Sequence, residues 1–326
     1  MKKKIIRISS VVGLGLFVLI VIKIGPDQIL ENIKKISWQN FVVLLFLRLL
    51  YWMLRTYNWK VILEAYGHRS TFRHLFACRM SSHAVSHLTP SANFGGEATR
   101  IMMVNSSSKK ISLASVIVDK TMEFLSLIVF AIVGVAIAIT RIPMRTRYQV
   151  FLICLVAAIT FFLLLITYKQ KKGFLGWIIK CLGKIRIRFK FLEKHQAKIE
   201  ETDQYISEFY RKQRKRFVQV FFLYSLLSLL WIMEIHVTLL FMNVEGITFF
   251  DSFVIVTLGA IAFAFPIVPA SLGVYEATYV GIFALLRLGT DVGFTLVLIR
   301  RVLALLWAGI GVLGMMLVNP DRQKKQ

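Results

Sequence analysis

The stretch "LTPSANFGGEATRI", Leu88 to Ile101, sets a proline, two adjacent glycines, a glutamate and an arginine in an apolar part of the chain. "FPIVPASLGVYEATYV", Phe265 to Val280, does much the same. Glu97-Ala98-Thr99 begins seven residues after Pro90, and Glu276-Ala277-Thr278 begins seven residues after Pro269. Proline removes a backbone donor and clashes with the preceding turn, and glycine weakens a helix interior. Pro90, Pro266 and Pro269, with the glycines near them, therefore break two hydrophobic stretches, about 71–105 and 250–288, into re-entrant hairpins. Roughly two dozen residues beyond each glutamate comes a polar cluster in an apolar helix, Asp119, Lys120 and Glu123 first, then Arg300 and Arg301. The break and the polar cluster beyond it both occur twice, which reads as an internal repeat.

Around these breaks the chain is 57% hydrophobic, with several apolar runs long enough to cross a hydrocarbon core, which takes roughly 20 helical residues. Full spans are expected at about 8–24, 41–63, 111–140, 148–168, 217–242 and 289–318. The fold class is therefore an all-α polytopic membrane protein, with about six full spans and the two broken hairpins. Lys2, Lys3, Lys4 and Arg7 precede the first run as in a secretory signal, but no small-x-small cleavage site follows, so it reads as an uncleaved helix. The organisation is a single integral membrane domain over 1–326. A first repeat covers 41–140 with hairpin 71–105, a basic segment covers 169–216, and a second repeat covers 217–318 with hairpin 250–288.

The net charge of +24 comes from basic residues that gather beside apolar runs, as in cytoplasmic loops facing anionic lipid, and so argues against a nucleic-acid partner. Lys and Arg crowd the N-terminus, the turn near Arg69 and Arg73, the link with Lys109 and Lys110, the segment 169–216 and the tail. These face the cytoplasm, with both termini, and the loop around Glu245 and Asp251 faces outside. Arg141, Arg145 and Arg147 fall outside and break the rule; the stronger basic segment after them decides the orientation. The first hairpin then enters from the cytoplasm and the second from outside, so the repeats are inverted. That architecture belongs to transporters whose site lies near the midplane between discontinuous helices. Non-helical backbone at that depth lines protein or a polar cavity.

At the hairpin tips, Gly95-Gly96 and Ser271-Leu272-Gly273 precede expected helix starts, where unpaired N–H groups favour an anion such as phosphate. Glu97 and Arg100 lie three apart and can pair on one face. Lys120, Arg300 and Arg301 supply cations around a phosphate, with Glu97 and Glu276 neutralising or gating them. Intramembrane charges of this kind mark either a pathway or a structural cross-link between hairpins and neighbouring helices.

Other features read more plainly. His83 and His87 share a helix face, but Ala84 stands where a zinc protease carries glutamate, so no metal site is expected. Cys78, Cys154 and Cys181 form no CxxC and are expected to pack in apolar surroundings. Glu234 and His236 read as separate polar packing points. Arg55 and Trp59 read as interface anchors, and Arg48, deeper, either pairs with a carboxylate or faces the cavity. No G-x-S-x-G or Walker sequence occurs, so neither a serine hydrolase nor an ATP-driven pump is expected, and the chain reads as a non-enzyme without cofactors.

"TPSANFGGEATR" with "SLASVIVDKTMEF", and "FPIVPASLGVYEA" with "LIRRVLALLWAGI", resemble the two signature regions of the lysylphosphatidylglycerol synthase transmembrane region family, also called flippase-like membrane proteins. Pro90, Gly95, Gly96, Glu97 and Arg100 match the first motif, and Pro269, Gly273 and Glu276 the second; Ala270 stands where the family often has glycine. The resemblance implies translocation of a lipid between leaflets of the cell membrane, with an anionic or aminoacylated phospholipid or a lipid-linked sugar as cargo. A lipid-synthesising enzyme is a possible partner. The alternative is a non-transporting membrane subunit that binds and positions a lipid for a partner enzyme.

Overall fold

The computed structural model describes residues 34–88, 94–104, 109–184, 196–263 and 273–317, together with positions 22, 27 and 31. The described residues form eleven helices and no strand. In chain order these are α1 (Trp38–Ala65), α2 (Phe72–Leu88), α3 (Phe94–Met103), α4 (Lys109–Arg141), α5 (Thr146–Gln170), α6 (Phe174–Lys184), α7 (Gln196–Lys212), α8 (Arg214–Phe241), α9 (Phe249–Phe263), α10 (Val274–Leu286) and α11 (Thr290–Leu317).

Five of them, α1, α4, α5, α8 and α11, are long and apolar enough to span a bilayer and coincide with five of the six expected spans. Their outward positions carry Phe46, Phe161, Leu164, Phe222, Leu305 and Leu313, all well exposed, as a lipid-facing perimeter requires. The chain is a multi-pass helical membrane protein. The expected first span lies outside the described residues apart from position 22, as do the hairpin tips 89–93 and 264–272 with Pro90, Pro266, Pro269 and Ser271.

Local sequence fixes the ends of the elements. Ser37 caps α1, its hydroxyl accepting from the Asn40 N–H at 3.2 Å. The helix stops at Gly67, φ +73°, where His68 N–H reaches the Leu63 carbonyl and Gly67 N–H that of Glu64. This reversed closure needs a left-handed residue just past the helix. α8 ends the same way at Asn243, φ 55°, with Val244 N–H on the Leu239 carbonyl. The next helix start, at α9, is closed by Thr248 and Asp251, each side chain accepting from the other's backbone N–H.

Two runs of four helices share one pattern, a long helix, two short ones and another long one: α1 to α4, and α8 to α11. The short helices of each run pack on each other, α2 on α3 and α9 on α10. Each run also reaches into the other. α2 packs along α11, α9 packs along α4, and α1 packs along α8. α1 and α8 are antiparallel, because Arg48 meets Glu234 while Ala65, at the other end of α1, meets Gln213. At the α2–α11 crossing a Cβ added to Gly311 would lie 2.1 Å from the Met80 carbonyl oxygen. At the α4–α9 crossing a Cβ added to Gly134 would lie 2.1 Å from Thr257 Oγ1. Both crossings are close because the longer helix offers no side chain there.

From the basic segment, α7 packs against this bundle. Ile206, Phe209 and Tyr210 of α7 pack with Val61 and Ile62 of α1 and Val220 and Tyr224 of α8. Asp203 of α7 accepts from the N–H groups of Leu175 and Gly176 at 2.8 and 2.9 Å, capping α6 from another helix. Cys78 is buried and Cys154 is exposed on the apolar perimeter of α5.

Candidate functional site in the polar interior

Charged side chains converge where the short helices meet the long ones. In the first run Asp119 of α4 is fully buried. It accepts from Arg79 of α2 at 3.0 and 3.3 Å, from Arg100 of α3 at 2.6 Å and from the Tyr224 hydroxyl of α8 at 2.5 Å. Both guanidinium groups also lie over the Trp59 ring, 5.3 and 4.7 Å from its centroid. Arg79 in addition donates to the Arg55 carbonyl at 3.0 Å, so α1, α2, α3, α4 and α8 meet at one carboxylate.

Next to it lies a more open set. Glu97 pairs with Arg100 at 2.8 Å and with Lys120 at 3.1 Å, and Lys120 also pairs with Glu123 at 3.1 Å. Arg55 donates to both Glu123 oxygens and to the Tyr51 hydroxyl, each at 2.6 Å. The side chains of Glu97, Lys120 and Glu123 are 23%, 34% and 24% exposed, so this set is less enclosed than the one around Asp119.

In the second run Glu276 of α10 is buried and joins Arg301 of α11, whose Nε lies 2.5 Å from Oε1. Its other oxygen accepts from the Gly273 N–H at 2.7 Å. Arg300 lies over the Trp231 ring at 5.2 Å. Arg48 of α1 pairs with Glu234 of α8, one turn along from Trp231. The rings of His83 and His87 are in tilted contact, their centroids 4.2 Å apart, and His83 Nε2 lies 3.3 Å from the Ala304 carbonyl oxygen, a hydrogen bond if that nitrogen carries the proton. Among the described residues no group of His, Cys, Asp or Glu is arranged to hold a metal ion.

The structure thus places the expected residues in two groups. Glu97, Arg100 and Lys120 are together, and so are Gly273, Glu276 and Arg301, with Arg300 the residue before Arg301 and turned to Trp231. Two local expectations change. Gly95 and Gly96 lie inside the first turn of α3, which starts at Phe94, instead of preceding it. Gly96 serves close packing, since an added Cβ would sit 2.2 Å from the Ser82 carbonyl oxygen of α2. At α10 the start falls after Gly273 as expected, and the Gly273 N–H is bonded to Glu276, which takes one donor of that helix start. Two anchors move inward as well. Trp59 is fully buried with its Nε1 donating to Ser115 Oγ at 3.1 Å, and Arg55 belongs to the ion network, not to the interface.

Glu234 and His236 do serve separate neighbours, Arg48 and the Ser252 hydroxyl. Arg79 and Tyr224 were not expected. Arg79 stands in the middle of the hydrophobic hairpin stretch, and a charge at that place is itself a signal.

Comparison with known proteins agrees with this architecture. A family model described as the lysylphosphatidylglycerol synthase TM region matches residues 6–312. A UPF0104 membrane protein of Methanothermobacter thermautotrophicus is 24% identical over 321 residues, covering 93% of this chain and 91% of the relative. A UPF0104 membrane protein of Methanocaldococcus jannaschii is 23% identical over 331 residues, covering 95% and 94%. A match over nearly the full length, on a bundle whose two signature regions supply its interior charges, means that the chain belongs to the lysylphosphatidylglycerol synthase TM region family.

Proposed function

We propose that the protein is a lipid flippase or scramblase that moves the headgroup of a phosphate-bearing lipid through the polar interior while the acyl or prenyl chains stay in the bilayer. The observation that carries this reading is a repeated ion pair. Glu97 on the second short helix of the first run pairs with Lys120, the twelfth residue of the following long helix. Glu276 on the second short helix of the second run pairs with Arg301, the twelfth residue of its following long helix. Each pair ties a hairpin arm to a span, and each stands beside a further cation.

The antiparallel contact of α1 with α8 supports reading the two runs as inverted copies, with one hairpin entering from each side of the membrane. A site shared between inverted halves can open to either leaflet by the same movement of each half. The headgroup would lie among Lys120, Arg300 and Arg301, and Glu97 and Glu276 would compete with it for those cations. Energy would come from an ion gradient or from the lipid gradient alone.

The test is transport by the full chain in liposomes carrying fluorescent phospholipids, scored as label made accessible to an external quencher. Headgroup-selective movement above empty liposomes is expected, and Glu97→Gln and Arg300→Ala should reduce it severalfold in folded protein. No movement of any phospholipid or lipid-linked sugar would overturn transport and leave a lipid-positioning subunit. Full activity in both variants would remove these charges from the pathway.

A further inference from the structure

The interior charges fall into two groups, each spread over both runs or packed against the other, and neither group balances. Around Asp119, Arg55, Arg79, Arg100 and Lys120 face three carboxylates, Glu97, Asp119 and Glu123. In the other group Arg48 of α1 joins Arg300 and Arg301 of α11, and the three face two carboxylates, Glu234 and Glu276. Each group is left with one uncompensated positive charge when histidine is counted as neutral. The tips 89–93 and 264–272 contain no Asp, Glu, Lys or Arg and leave this count unchanged.

Several donors of these cations have no hydrogen-bond acceptor among the described residues. Arg300 pairs with no carboxylate among the described residues, and its Nη1 is buried without a hydrogen-bond partner. Arg48 Nε and Arg301 Nη2 are in the same position, and in the first run so are the Nε atoms of Arg79 and Arg100. Burying a charge without a counter-ion is costly, and an arginine with open donors beside an apolar wall is set for a phosphate oxygen. Trp231 under Arg300 fixes the guanidinium plane and leaves its edge to the ligand.

We infer that the site selects a lipid headgroup carrying at least two negative charges, a phosphomonoester or a diphosphate, over a singly charged phosphodiester, and that it rejects an aminoacylated headgroup, whose net charge is positive. This rests on the lipid-handling reading of the same site and narrows it. A dianion neutralises both surplus charges. A monoanion leaves one of them uncompensated. A lysyl headgroup adds ammonium groups to an interior already too positive.

The test is binding by the full chain in nanodiscs of neutral lipid, read from tryptophan fluorescence at pH 8. The probes are dioctanoyl phosphatidic acid, farnesyl diphosphate, dioctanoyl phosphatidylglycerol, dioctanoyl lysylphosphatidylglycerol and inorganic phosphate. Phosphatidic acid and farnesyl diphosphate should each bind at least about tenfold more tightly than phosphatidylglycerol, the loss of one charge-assisted bond being worth about that factor. The lysylated lipid should bind least. Arg300→Gln should collapse the ratio, and Arg300→Lys should retain most of it. Equal binding of phosphatidylglycerol or its lysyl ester overturns the inference, and that comparison needs only the unaltered chain, so it survives a variant that fails to fold. Inorganic phosphate binding as tightly as the lipids overturns the choice of a lipid. Selective binding without liposome transport would sink the flippase reading alone, whereas transport of every headgroup without preference would sink this one alone.

Discussion

Asp119 shows what one carboxylate can hold together. It is fully buried and touches two guanidinium groups and a phenol from three other helices. Removing one partner of a buried ion pair strands the others, at a cost of about 3–5 kcal/mol, because Arg79 and Arg100 have no water to turn to. Asp119→Asn should therefore lower the melting temperature of the purified protein strongly. Glu123→Gln should do so less, since that side chain is a quarter exposed and Arg55 keeps the Tyr51 hydroxyl. An Asp119→Asn protein that melts with the unaltered one would show that the cluster does not hold the fold. Asp119 could be singled out in the sequence as a charge in an apolar run, but its partners could not. Tyr224 lies 105 residues away and Arg79 lies 40 away, and only the packing of α2 and α8 against α4 brings them in.

At the scale of the element, the two glycine crossings carry the contacts between the runs. Gly311 faces backbone, the Met80 carbonyl oxygen at 2.1 Å from an added Cβ, and a backbone cannot step aside without shifting the helix. Gly134 faces the Thr257 side chain, which can rotate away at the cost of its bond to the Phe253 carbonyl. Overpacking costs about 1–3 kcal/mol, so Gly311→Ala should fall at the upper end and Gly134→Ala at the lower, both read as melting temperature. Gly309, with nothing within 4 Å of an added Cβ, should tolerate alanine, and an equal loss there would show that helix propensity, not the crossing, sets the effect. Helix positions were legible because span length follows from apolar run length. The expected breaks at Pro90, Pro266 and Pro269 lie outside the described residues, while the short helices on either side of them are described. The start of α3 lies three residues earlier than expected: Gly95 and Gly96 suggest a turn by propensity, yet the approach of α2 needs Gly96 inside the helix. Arg55 and Trp59 misled for a related reason. Amphipathic side chains near a span end suit an interface, and only α4, packed against that face, turns them inward.

For the whole molecule the central geometric fact is that α1 and α8, the opening helices of two like runs, are antiparallel. Helices that each cross the membrane in opposite senses put the turns after them on opposite sides. The turn after α1 contains exposed Arg69, and the turn after α8 contains exposed Glu245. In a background with Cys78, Cys154 and Cys181 replaced by alanine, Glu245→Cys should react with a membrane-impermeant maleimide on intact cells. Arg69→Cys should react only after permeabilisation. The same experiment tests the orientation, since the positive charge around Arg69 and Arg73 belongs in the cytoplasm and the loop at Glu245 has no Lys or Arg to hold it there. Labelling of both from one side would mean that α1 or α8 does not cross. The two hairpins would then enter from the same face, and a pathway built on alternate opening of inverted halves would be lost even with every interior ion pair intact. Labelling with the two sides exchanged would keep the inversion and reverse only the orientation, with the basic segment of α6 and α7 placed outside.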